Sequence, residues 1–151
     1  MSILRKRPKA WQQYIENLSL TDIEGVNDRT NQGSLTFLGI DQATLYDLKN
    51  VTHLLEPHIN EIVERFYDRV TSVPHLRNII NQHSTVDRLK TTMRQYITQL
   101  IHANIDEDYI ETRKRVGRVH SRIHLTAEYF ISAHHVILQM LTAILVEKLS
   151  H

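Results

Sequence analysis

From about Asp41 to Leu149 the apolar residues of this chain recur at helical spacing, with few interruptions. Leu45, Leu48, Thr52 and Leu55 follow Asp41 at intervals near three and four, which predicts a helix capped by the Asp41 carboxylate. Pro57 suits the first turn of a second helix, whose inward stripe reads Ile59, Ile62, Val63, Phe66 and Val70. Pro74 opens a short helical turn through Leu76, Ile79 and Ile80. Ser84 or Thr85 then caps a helix with Val86, Leu89, Met93, Tyr96 and Leu100 on one stripe. Asp106 caps the next, from about Glu107 to His124, acidic early and rich in Arg and Lys later, an order that complements the helix dipole. Thr126 caps a last helix to about Leu149, roughly 35 Å long at 1.5 Å per residue. Its apolar positions, from Tyr129 and Phe130 through Ile137 to Leu145, cover more than one narrow stripe. A helix so broadly apolar is expected to bury one face in its own core and another against a partner.

Upstream, a short amphipathic helix is expected around Lys9 to Leu18, followed by a polar connector from Asn27 to Ser34. The chain therefore divides into an N-terminal extension, residues 1–34, and a globular body, residues 35–151. Between His75 and Val116 there is neither Gly nor Pro, and sheets need more turn residues than that. The fold class is all-α.

Composition narrows the function classes. Hydrophobic residues make up 41% and charged residues 23% of 151, ordinary values for one globular domain with a single core. A net charge of +1 calls for neither nucleic acid nor an anionic membrane, and the Arg5, Lys6 and Arg7 cluster reads as a solvated arm. Cysteine is absent, which removes disulfides, thiolate metal sites and covalent haem attachment through Cys-x-x-Cys-His. No apolar run is expected to reach the ~20 residues that span a bilayer, and Met1 to Ala10 lacks the apolar core of a signal peptide. The expected compartment is cytoplasmic.

Three polar side chains interrupt apolar faces. Thr92 lies three residues after Leu89 and four before Tyr96; Tyr67 lies between Val63 and Val70; His120 lies between Val116 and Ile123. Each has an ordinary structural explanation: a threonine bonding its own helix carbonyl, a tyrosine finding a backbone acceptor, a histidine hydrogen-bonded in the core. Aimed inward together from three helices, they call for a polar object between them.

The strings Glu61 to Val70 (EIVERFYDRV), His83 to Met93 (HSTVDRLKTTM) and Arg115 to Leu125 (RVGRVHSRIHL) decide between these readings. In this order they resemble the globin-coupled sensors, most closely the haem-based aerotaxis transducers of bacteria, over about Leu35 to Leu149. The resemblance implies a globin fold with an N-terminal extra helix and a non-covalent b-type haem. It makes His120 the proximal iron ligand, and Tyr67 and Thr92 the distal groups near bound oxygen. Phe66, Leu89, Met93, Val116, Ile123 and Tyr129 become pocket walls, with His83 and His124 at the haem edge near the propionates. The implied function is reversible binding of O2 (also CO and NO) and relay of a conformational signal to an output module of chemotaxis or aerotaxis type. A hydroxyl donor in a dry pocket favours dioxygen, which takes on partial negative charge, over carbon monoxide, which accepts hydrogen bonds poorly.

Three departures from that family stand out. His124 occupies a place where an Ile-Gly-Leu string is usual, and one turn beyond His120 it is expected to face the same way. Tyr129 replaces a tryptophan. The chain ends at His151 without the further long helix and signalling module of those sensors, so the expectation is a truncated or minimal form that dimerises through its last helix. Two other functions fit the same residues: a haem-free globin-like interaction domain, and a globin that dioxygenates nitric oxide. No flavin or nicotinamide motif is present to return electrons for the latter, so the chain is read as a non-enzymatic sensor.

Overall fold

The computed structural model describes residues 39–150. The expected helix at Lys9 to Leu18 and the connector lie outside the described residues. Helix α1 spans Gln42–Leu55 and leads through a 3-10 turn, Glu56–His58, into α2, Ile59–Ser72. Then come α3, Pro74–His83; α4, Val86–His102; α5, Glu107–Arg122; and α6, Ala127–Leu149. No strand occurs among the described residues.

The predicted caps form at Asp41, Thr85 and Asp106, whereas Thr126 stands at the N-cap of α6 without a side-chain cap hydrogen bond. The Asp41 carboxylate accepts from the Thr44 amide at 2.8 Å and the Thr44 hydroxyl at 2.9 Å, and these bonds hold its pKa below the ordinary value. The Thr85 hydroxyl accepts from the Arg88 amide at 3.3 Å at the start of α4. Asp106 accepts from the Tyr109 amide at 2.8 Å at the start of α5. Each satisfies one amide that the first helical turn leaves without a partner.

Helix α2 is central, packing against α3, α4 and α6. It contributes Ile62, Val63, Phe66 and Tyr67 to the core, and α4 answers with Ile97 and Ile101. Val63 and Ile97 are fully buried. The Thr52 hydroxyl donates to the Ile101 carbonyl at 2.8 Å, tying α1 to the end of α4. The apolar stripe read from sequence on α4 packs against this core at its edges, but the fully buried residues are Ile97 and Ile101, which sit one position round the helix.

Helix α5 has no fully buried residue. Helix α6 buries Ile137 and rests Ala133, Val136, Met140, Leu141, Ile144 and Leu145 on the core. Its other side leaves Ile131, Leu138, Val146 and Leu149 exposed by 61–67%. By length and composition alone α6 is long and apolar enough to cross a membrane. That corrects the sequence expectation that no run is so long. The polar positions between Tyr129 and Val146 are Ser, Thr, Gln and His, which interrupt the apolar pattern without adding Asp, Glu, Lys or Arg.

Candidate functional site

His120 stands in the last turn of α5 and is half-buried. Its Nδ1 lies 2.8 Å from the carbonyl oxygen of Val116, one turn back. A carbonyl can only accept, so Nδ1 carries the proton and Nε2 the lone pair. No described residue hydrogen-bonds to Nε2. The imidazole meets the Phe130 ring of α6 edge-on, with centroids 5.2 Å apart. An imidazole oriented by its own helix, with Nε2 engaged by no described residue, has the arrangement a metal ligand needs.

Gly117 adds space beside it. On the wheel of α5 it falls between His120 and Ile110, both half-buried, yet a Cβ placed there meets nothing within 4 Å. Gly117 is itself exposed, so the space over its Cα is open to solvent. Among the described residues no three His, Cys, Asp or Glu side chains stand together to hold a metal ion. His120 can therefore offer one protein ligand to a metal that arrives with its other ligands.

Tyr67 is buried on α2, edge-on to Phe66 at 5.2 Å. Burial alone pushes its phenol up to about 12, and no described residue hydrogen-bonds to its hydroxyl. A protonated phenol that no described residue engages is available to an incoming group.

Thr92 requires a correction. It is exposed, and its hydroxyl donates to the Arg88 carbonyl at 3.2 Å, the ordinary bond of a helical threonine. Spacing from Leu89 and Tyr96 placed it inward, but the core stripe is centred on Ile97, and Thr92 lies on its flank with Tyr96. Tyr96, rather than Thr92, meets α5 and α6: its ring receives the Arg113 guanidinium at 4.6 Å, and its hydroxyl lies 3.1 Å from Nε2 of His134. The structure does not bring Thr92 into contact with Tyr67.

His124 is a second correction. Helix α5 ends at Arg122, and His124 follows in a turn with φ 57°, exposed rather than sharing the face of His120. The amide of His124 donates to the Ser121 carbonyl and that of Leu125 to the His120 carbonyl, at 3.1 and 3.0 Å. This is a Schellman cap, whose left-handed position favours glycine and explains why His124 stands where Gly is usual. His83 is exposed at the end of α3. Phe66 is in the core, Leu89 and Met93 pack on it, and Val116 and Ile123 are half-buried. Tyr129 is half-buried with its ring 5.9 Å from that of His75.

Sequence reading missed His134. It copies the His120 arrangement, with Nδ1 2.9 Å from the Phe130 carbonyl one turn back, but its Nε2 accepts from the Tyr96 phenol. Of the two histidines whose rings meet Phe130, His120 alone keeps Nε2 unengaged by any described residue.

The described residues form a strandless helical body with a half-buried histidine in the last turn of α5, consistent with a globin fold. The chain belongs to the Protoglobin family, whose model matches residues 28–151. It is similar to the haem-based aerotactic transducer HemAT of Halobacterium salinarum, at 28% identity over 121 residues. That alignment takes in 80% of this chain and 25% of the relative, so the chain spans about a quarter of the length of the curated relative it matches. The sensor-globin resemblance of the three sequence strings is thereby borne out.

Proposed function

We propose that this chain is a haem-based oxygen-sensing globin domain, with His120 as the proximal ligand of a non-covalent b-type haem. The observation that carries the reading is the His120 imidazole, protonated at Nδ1 by its bond to Val116 and free at Nε2. The Tyr67 phenol, which no described residue hydrogen-bonds, is a second group that a polar ligand can meet. The iron of that haem supplies reversible coordination of a diatomic gas, which no side chain provides.

The protein's own part is positioning, exclusion of water and hydrogen bonding. Val116 fixes the plane of His120. Tyr67 holds its proton at the hydroxyl because burial disfavours the phenolate, and a protonated donor favours dioxygen over carbon monoxide. The exposed stripe of α6 is read as the seat of a second copy of this chain, and the relay as running to an output module through α6. The name of the relative, an aerotactic transducer, supports an output of that kind.

The test is the absorption spectrum of the full chain loaded with haem. A Soret band that is lost or strongly altered in His120→Ala is the expected result. No haem uptake by the wild type, or an identical spectrum in the variant, defeats the reading.

A further inference from the structure

A continuous chain of ring contacts runs from His120 to a part of the molecule the haem reading does not use. His120 meets Phe130 edge-on at 5.2 Å, and Phe130 lies 4.6 Å from the His134 ring, tilted by 53°. His134 is fixed at both nitrogens: Nδ1–H donates to the Phe130 carbonyl, and Nε2 accepts from the Tyr96 hydroxyl at 3.1 Å. Tyr96 is held in turn by Arg113, whose guanidinium carbon stands 4.6 Å from the Tyr96 ring and 3.3 Å from that of Tyr109. Arg113 also donates to Gln99 at 3.1 Å, and Gln99 donates to Asp108 at 3.1 Å. Arg113 and His120 lie two turns apart on the same helix, so the chain leaves α5, crosses α6 and α4, and returns to α5.

An exposed histidine ordinarily samples several rotamers, and fixing one has an entropic cost. His134 is exposed, yet both its ring nitrogens are engaged, and the one neighbour its ring covers besides Tyr96 is Phe130. Phe130 in turn packs edge-on against the His120 ring from the α6 side. We propose that Tyr96 and His134 are positioning residues for His120, acting through Phe130. The Tyr96–His134 hydrogen bond holds the His134 ring, that ring backs Phe130, and Phe130 sets the plane of the His120 imidazole. The same chain gives His120 a mechanical connection to α6, whose outer face is apolar and exposed.

This inference rests on His120 as the haem ligand, and its test separates the two. Tyr96→Phe removes the hydroxyl and keeps the ring; His134→Gln removes the ring that backs Phe130. In haem-loaded full-length protein, each variant is expected to keep a histidine-type spectrum, shift the iron–histidine stretching band in the Raman spectrum, and lose haem roughly tenfold faster, as for other partners of a ligating histidine. Because the two act as one unit, the double variant is expected to be no worse than the poorer single. In the haem-free protein, the His120 ring resonances are expected to shift in both variants, a readout independent of any haem. Unmoved His120 resonances together with unchanged Raman band and haem loss overturn the proposal, as does full additivity in the double variant. His120→Ala with an unaltered haem spectrum sinks the ligand assignment instead, while leaving the haem-free resonance test standing.

Discussion

The amide of Leu125 donates to the carbonyl oxygen of His120 at 3.0 Å, so the turn that ends α5 closes on the proposed ligand itself. That closure requires His124 to sit at φ 57°, a conformation costing a residue with a Cβ roughly 1–2 kcal/mol. Glycine there avoids the cost but gains freedom in the unfolded chain, so His124→Gly is expected to stabilise the domain by about 1 kcal/mol. The melting temperature should rise by about 3 °C for a domain of this size. Haem affinity should not change, because His124 is exposed outside the helix. A fall in affinity on this substitution restores the edge contact that the sequence pattern suggested.

Tyr67 ties stability to alkaline pH. Its folded pKa, about 12, lies above the ordinary tyrosine value of 10.0 because burial disfavours the phenolate. The folded state therefore holds the proton more tightly than the unfolded one. Its contribution is complete below pH 10 and is lost as pH rises from about 10 to 12, by at most about 3 kcal/mol. Denaturant melts of wild type and Tyr67→Phe should diverge across that window, the variant becoming the more stable as pH rises.

At neutral pH the same variant separates stability from function. No described residue bonds the Tyr67 hydroxyl, so Tyr67→Phe should change neutral stability by less than about 1 kcal/mol. Oxygen affinity of the haem-loaded protein should nevertheless fall about tenfold, the value of one hydrogen bond, with carbon monoxide affinity nearly constant. Equal losses for both gases would remove Tyr67 from the distal side.

Much of this architecture was legible in the chain because its caps and stripes are local. Asp41, Thr85 and Asp106 each act on an amide three residues away, and the Val63–Tyr67 face is set by one helix's periodicity. What failed depended on other elements. Thr92 shares spacing with Leu89 and Tyr96, but only the packing of Ile97 and Ile101 on α2 decides which arc of α4 is buried. The turn at His124 was misread because a helix period continues on paper through a residue that in space has left the helix. His134 went unnoticed because its partners, Phe130 excepted, come from a helix almost forty residues earlier in the chain.

The neighbours Ile137 and Leu138 on α6 offer a final, paired prediction. Ile137 is 4% exposed and belongs to the core; Leu138, one position round the helix, is 61% exposed. Truncating Ile137→Ala leaves a cavity and should cost about 2–5 kcal/mol in a denaturant melt. Leu138→Glu buries no charge within the fold and should leave that melt within about 0.5 kcal/mol of wild type, measured at a concentration where the protein is monomeric. If a second copy sits on the stripe of Ile131, Leu138, Val146 and Leu149, the same substitution places two carboxylates in an apolar interface. Sedimentation equilibrium should then show dimer affinity reduced at least about 100-fold, because an unpaired buried charge costs several kcal/mol. Unchanged association with an unchanged melt excludes this stripe as the contact between copies.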